Sequence, residues 1–333
     1  MNSCYTNKIE GQHTLPSDIE RAMRREFDAD AALAKKQRLA LAHMEVEQQL
    51  EERQATTRDL FDRQRVREIH SLLYGKLPEA DRVTDDGKPI VPGEYRRDDV
   101  TVGRHVAPPW NNIEDLLNGW ADRYRGLAGT EALLIGTACS HHRLAWIHPF
   151  VDGNGRVARL HSHLVLHAMG LTQGLWSPMR GLARTHEQYY ARLNNADLSR
   201  RNDLDGRGPL SQEELVAFAR YFLEICLDQV RFMRERLDLT SLKDRLKALL
   251  VYLQEDSWQI GSEKSIVKLE ALEALHYIAM TGLEERTGRR VLASLLDYGV
   301  LSAESSRSPI TFAVPLKSLK HLFPNLWPEA EVE

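Results

Sequence analysis

Apolar residues recur every three or four positions through most of this 333-residue chain, the spacing of helices that turn one face to a core. From Ser17 to about residue 55 the chain is rich in Ala, Leu, Glu, Gln and Arg, a solvated face with a thin apolar stripe. Ser17 with Glu20 three residues later reads as its N-cap. A second helix over about 57–74 carries Leu60, Phe61, Val66, Ile69, Leu72 and Leu73 to a core and ends at Gly75. Pro78, Gly87, Pro89, Pro92 and Gly93 make 76–93 a loop. Helices follow at about 112–126 and 129–146, then a run with Val157, Leu160, Leu164 and Ala168 that stops at Gly170. Further helices over 184–196, 211–236 and 240–255 complete a helical domain spanning 17–255.

Two stretches depart from this period. Val100, Thr101 and Val102 favour a strand, and Asp98-Asp99 suit the turn of a small hairpin within 94–106. An isolated hairpin is marginal in water and presents an edge, so it is either a structural cover or a binding device. Residues 256–333 read as helix (264–279), turn, helix (287–298, capped by Gly299) and two short strands (300–303 and 310–314), the order of a winged helix. The expected fold class is therefore all-α with one small hairpin, followed by a winged helix-turn-helix domain. Arg286, Arg289 and Arg290 on its second helix are the candidates for DNA contact. Residues 258–333 hold eight Lys or Arg against ten Asp or Glu, a poor charge balance for a DNA reader. A protein-docking or homodimer module is the other reading.

Composition narrows the class without naming a chemistry. A hydrophobic fraction of 42% supports real cores, and a net charge of −4 gives no push toward nucleic acid or anionic membrane. Cys4, Cys139 and Cys226 form no metal or disulfide pattern and read as reduced thiols. No apolar run suits a membrane span and Met1-Asn2-Ser3-Cys4 carries no leader-like apolar core, so a cytoplasmic protein without membrane contact is expected. Asp203-Leu204-Asp205-Gly206 has the look of a calcium loop, but Pro209 and Leu210 interrupt it and a turn is the better reading.

The chemistry concentrates in His148-Pro149-Phe150-Val151-Asp152-Gly153-Asn154-Gly155-Arg156-Val157-Ala158-Arg159. His148 exchanges a proton near neutral pH, and Asp152 is a hard oxygen ligand suited to Mg²⁺. Gly153-Asn154-Gly155 opens a helix with uncovered N–H groups, where the dipole and the free donors favour an anion. Arg156 and Arg159 share a helix face and offer planar forks for phosphate oxygens. Each feature alone suits a turn or a solvated face; together they outline a phosphate-transfer site. His141, His142, His161, His163 and His167 flank it in no zinc spacing and read as polar helix faces.

This twelve-residue stretch resembles the signature of Fic-domain proteins at every position. Resemblance to Fic adenylyltransferases implies Mg²⁺-dependent transfer of AMP from ATP to a Tyr, Thr or Ser hydroxyl of a protein, the chain itself included. It implies His148 as base, Asp152 as metal ligand, and Gly153, Asn154, Gly155, Arg156 and Arg159 around the phosphates. Gly155 matters, since a Lys there would resemble the Doc branch, which phosphorylates. Tyr190 and Asn194 would line the adenosine pocket, and the hairpin of Val100, Thr101 and Val102 would be the target-binding flap. Near the N-terminus, within 1–16, Thr6-Asn7-Lys8-Ile9-Glu10-Gly11 is by itself a frayed helix end with Gly11 as its cap. It also resembles the inhibitory motif of the class whose inhibitory helix is N-terminal, which implies that Glu10 pairs with Arg159. Removal of AMP, another nucleotide donor, or a DNA-binding regulator with a Fic sensor domain are the alternatives.

Overall fold

The computed structural model describes residues 2–238, 244–245, 284–303, 305, 308–313, 318 and 322–323. The chain divides into two compact units, 1–233 and 234–333. The helices expected at 240–255 and 264–279 lie outside the described residues.

The first unit is helical: α1 (Asn2–Ile9), α2 (Pro16–Met23), α3 (Ala31–Glu52), α4 (Thr57–Leu60), α5 (Arg63–Gly75), α6 (Ile113–Tyr124), α7 (Thr130–Ile147), α8 (Asn154–Ala168), α9 (Met179–Arg184), α10 (His186–Ala196) and α11, which starts at Gln212. At the centre α7 packs along α8. From Arg156 to Leu166 every residue of α8 is buried. One core joins α3–α8 through Phe61, Ile69, Trp120, Ile147, Phe150 and Leu160. A second joins α1 to α9–α11 through Tyr5, Ile9, Leu182, Tyr189, Phe218 and Phe222. α1 therefore has apolar anchors of its own, burying Tyr5 and Ile9 almost completely.

Several expected boundaries move. The stretch expected as one helix from 17 to 55 is broken between Met23 and Ala31. Arg25 adopts a left-handed φ of 62° and Asp30 restarts the helix, its carboxylate accepting from the N–H of Ala32 at 2.8 Å. α2 begins at Pro16 rather than after Ser17, as proline suits the first helical position. Its cap bond comes from Asp18, which accepts from Leu15 N–H at 3.0 Å. The 57–74 helix breaks at Phe61-Asp62, and Asp62 caps α5 through the N–H of Gln64. Asp205 organises the 203–209 segment as a turn by accepting from Ser211 Oγ and Glu213 N–H, both at 2.8 Å.

The hairpin is present as β1 (Thr101–Val102) and β2 (His105–Val106), paired antiparallel with Thr101 opposite Val106. Its turn is Gly103-Arg104, not Asp98-Asp99: Gly103 takes φ 60°, which glycine adopts without Cβ strain. Val100 stands just outside the strand, its carbonyl accepting from Ala107 N–H at 3.1 Å.

In the second unit, α12 (Glu285–Tyr298) ends at Gly299 with φ 87° and leads into β3 (Leu301–Ser302), paired with β4 (Thr311–Phe312). Leu292, Leu295, Val300 and Ile310 form its small core. No helix among the described residues is long and apolar enough to cross a membrane.

Candidate active site

His148 ends α7 in a left-handed conformation, φ 50° and ψ 59°. Such a conformation costs a non-glycine residue energy and persists only where surroundings enforce it. Arg96 does so. Its guanidinium is buried and donates to the carbonyls of His148 (2.8 Å), Asp98 (2.7 Å) and Pro108 (2.5 Å), tying hairpin and motif together. Its backbone N–H reaches Pro149 O at 2.9 Å. His70 stacks on Phe150 at 3.9 Å between centroids. Its Nδ1 accepts from Gly93 N–H, so Nε2 is the donor to Asp152 O at 3.2 Å.

The loop then turns into α8. Gly153 takes φ 80°, and a Cβ there would stand 2.5 Å from the Tyr74 ring. Asn154 is engaged at both ends, Oδ1 accepting from Phe150 N–H at 2.8 Å and Nδ2 donating to Phe150 O at 2.9 Å. Its side chain thus braces the loop. The backbone N–H groups of the first turn, before the Val157–Gly153 bond begins, have no partner within the helix.

The charged part gathers around the N-terminal segment. Arg159 pairs with Glu10, and its Nε donates to Thr6 Oγ1 at 2.7 Å. Arg156 donates to Gln12 Oε1 at 2.6 Å and to Tyr74 Oη at 3.4 Å. Tyr74 in turn donates to Asp152 Oδ2 at 2.9 Å. A Cβ on Gly155 would stand 2.5 Å from Glu10 Oε1, so only glycine leaves room for this contact. Burial by itself would raise the Glu10 carboxyl, but the guanidinium groups of Arg159 and Arg156 outweigh it and hold the group below its ordinary value. Burial also opposes the charge on both arginines, and their neighbours, Tyr74, Glu10 and Asp152 for Arg156 and Glu10 above all for Arg159, outweigh it.

His148, Asn154, Gly155, Arg159, Tyr190, Asn194, Val102 and Glu10 line one cavity of about 160 Å³. That is less than the ~300–1,000 Å³ of small-molecule pockets, and α1 accounts for one wall: Tyr190 donates its hydroxyl to Ile9 O at 2.9 Å. Asp152 and Arg156 line a second cavity beside it with Glu10, Gln12 and Tyr74. Burial, then the neighbouring His105, push His148 down to about 4, so its imidazole is neutral at pH 7.

The structure thus gathers most of the predicted residues in two adjoining cavities, with Thr6, Gly11, Val100, Thr101 and Gly153 outside both linings, and it adds others. Arg96, Gln12, Tyr74 and the His105–Asp197–His142 chain (2.8 and 2.9 Å) carry no sequence signal. Four of the five flanking histidines are not polar helix faces; His167 is partly exposed. His141, His142, His161 and His163 are buried, because α7 and α8 run through the middle of the unit, and each finds a partner: Tyr189, Asp197, Leu60 O and Glu51.

Known proteins share features with this chain. Residues 60–166 match the Fic/DOC family model. A protein adenylyltransferase Fic of Nematostella vectensis is 32% identical over 120 residues, covering 35% of this chain and 26% of that protein. One of Drosophila mojavensis is 30% identical over 133 residues, covering 40% and 26%. The chain spans about a quarter of the length of these relatives. Among solved structures, a Fic family protein from Desulfovibrio desulfuricans shares the fold with a TM-score of 0.52 at 18% identity, over 94% of this chain and 86% of that one. A Fic domain containing signaling protein from Bacteroides thetaiotaomicron gives 0.53 at 17%, over 70% and 85%. The class is therefore a helical Fic fold. The chain carries a Fic domain, and the curated relatives it matches are named protein adenylyltransferases.

Proposed function

We propose that this chain transfers AMP from ATP to a Tyr, Thr or Ser hydroxyl of a protein, and that Glu10 holds it inhibited. One observation carries the reading: His148, the first turn of α8 and Arg159 line a single cavity, and Glu10 pairs with that arginine inside it.

In this reading the neutral His148 takes the proton of the target hydroxyl, whose oxygen attacks the α-phosphorus of ATP. The bond from the α-phosphorus to the bridging oxygen breaks, and pyrophosphate leaves with the electron pair. The N–H groups at the start of α8 stabilise charge developing on the α-phosphate oxygens. Arg156 and Arg159 hold the β- and γ-phosphates once Gln12 and Glu10 release them. Asp152 fits a Mg²⁺ ligand: its carboxylate is 43% exposed beside Arg156, the one-carboxylate-plus-phosphate mode that this ion favours. When bound, the ion offsets phosphate charge. Tyr190 and Asn194 face the adenosine side of the cavity, and the exposed hairpin offers backbone groups to an extended target segment. For the second unit we propose a winged helix that docks on DNA or protein, a second copy included.

Removal of AMP from modified protein is the second reading. It is favoured by the ionised Glu10, which shares the cavity of His148 and is placed to orient a water. The experiment is incorporation of α-labelled ATP into the protein itself, in wild type, Glu10→Gly and Glu10→Gly/His148→Ala. Label in Glu10→Gly that disappears in the double variant supports inhibited transfer. No label in any of them, with ATP binding measured, sinks it in favour of AMP removal or another donor.

A further inference from the structure

α3 packs on α8 and against α1. Along the α3–α8 contact, Glu47 and Glu51 stand one turn apart on α3, and His163 and His167 stand one turn apart on α8. His163 Nε2 lies 2.7 Å from Glu51 Oε1 and 3.9 Å from Glu47 Oε1. His167 Nδ1 lies 3.6 Å from Glu51 Oε1. His43, one turn before Glu47, is wholly buried with Nδ1 3.5 Å from Glu47 Oε2.

Two facts point to a ligand. The first is spacing. Donor atoms about 2.0–2.1 Å from a tetrahedral zinc ion stand about 3.3–3.4 Å from one another. The separations here bracket that value, and one atom each from Glu47, Glu51 and His163 lie within 4.8 Å of one another. The second is unmet bonding. Glu47 Oε2, both ring nitrogens of His43 and Nδ1 of His163 are buried without a hydrogen-bond partner, whereas buried polar atoms are ordinarily bonded. An ion pair of His163 with Glu51 accounts for their contact, and Asn2 meets Glu47 Oε1, but Glu47 Oε2 and both His43 ring nitrogens are left without a hydrogen bond.

We propose that Glu47, Glu51 and His163, with His43 or His167 as a further donor, bind one transition-metal dication of the zinc class. Mixed imidazole and carboxylate donors suit that class better than Mg²⁺ or Ca²⁺. This site lies between α3 and α8, apart from Asp152 and independent of the transfer reaction. It touches the inhibitory segment at one point: Asn2 Nδ2 donates to Glu47 Oε1 at 2.6 Å, so ion and α1 share a carboxylate.

The test is titration of the chelator-treated full chain with Co²⁺, followed by its visible absorption, then displacement by Zn²⁺. One equivalent should bind. Glu51→Gln and His163→Gln should each weaken binding at least about ten-fold, and Asp152→Ala should leave it unchanged. Should the buried His163→Gln fail to fold, Glu51→Gln, near-isosteric at a side chain 24% exposed, should still show the loss, and Glu47→Gln should match it. No cobalt bound at one equivalent, or binding that survives Glu47→Gln and Glu51→Gln, would overturn the proposal.

Discussion

The two ends of the 148–159 loop are held by different kinds of structure. At the histidine end every restraint comes from the folded body of the unit: Arg96 on three carbonyls, His70 against Phe150, Asn154 on the backbone of Phe150. At the arginine end the short contacts of Arg156 and Arg159 are to Gln12, Thr6 and Glu10, from the N-terminal segment, with Tyr74 of α5 a longer partner of Arg156 at 3.4 Å. Under the proposed function the base is held by the body of the unit, while the anion site is filled by the N-terminal segment, whose release would open it. A switch built this way leaves the chemistry assembled and controls only access to it.

That contrast can be broken at either end. The largest effect belongs to His148→Ala in the Glu10→Gly background, where transfer should fall about 10²–10⁴-fold with an unchanged melting temperature. Full activity would remove the base assignment. Arg96→Ala should cost about 2–4 kcal/mol in denaturant unfolding, since a buried guanidinium and its bonds to three carbonyls are lost; a loss below ~0.5 kcal/mol would mean the histidine end is not held as described. At the other end, Glu10→Gly should raise self-modification about ten-fold or more, and unchanged labelling would contradict inhibition. Thr6→Val removes only the Arg159 Nε partner, worth about 1 kcal/mol, so labelling should rise by about five-fold and stay below the Glu10→Gly level.

The smallest effect is one of pH. His148 is depressed to about 4, so its base form is already populated above that value and is lost only as pH falls through it. Transfer by Glu10→Gly should change little between pH 6 and 8. An acidic limb centred near the ordinary 6.5 would show that the imidazole is not desolvated in the working state.

Much of this was readable in the chain. Periodic apolar spacing placed α7 and α8 within a residue or two, because a buried helix repeats its signal every turn. The motif residues and Glu10 were found because they are local in sequence. What escaped was of two kinds. Where two helix-forming stretches abut, as at Met23–Ala31, composition runs on while one left-handed Arg25 turns the chain. The cue was Asp30, an N-cap hidden among other polar residues. Contacts between distant residues, such as Arg96 with His148 or Gln12 with Arg156, leave no periodic trace. The buried histidines misled for a related reason: histidine looks polar in a sequence, and only the packing of α7 on α8 shows that both helices are enclosed.

The short stretch from Glu10 to Leu15, which links α1 to α2, sets how the proposed inhibition would respond to dilution. A glutamate tethered so closely meets its arginine at an effective concentration of about millimolar, whatever the amount of protein present. Crowding or dilution should therefore leave the block untouched. His13 and Leu15 in this link are exposed. A single cut there would remove this tether, and the apolar anchors of α1 would have to hold it in place.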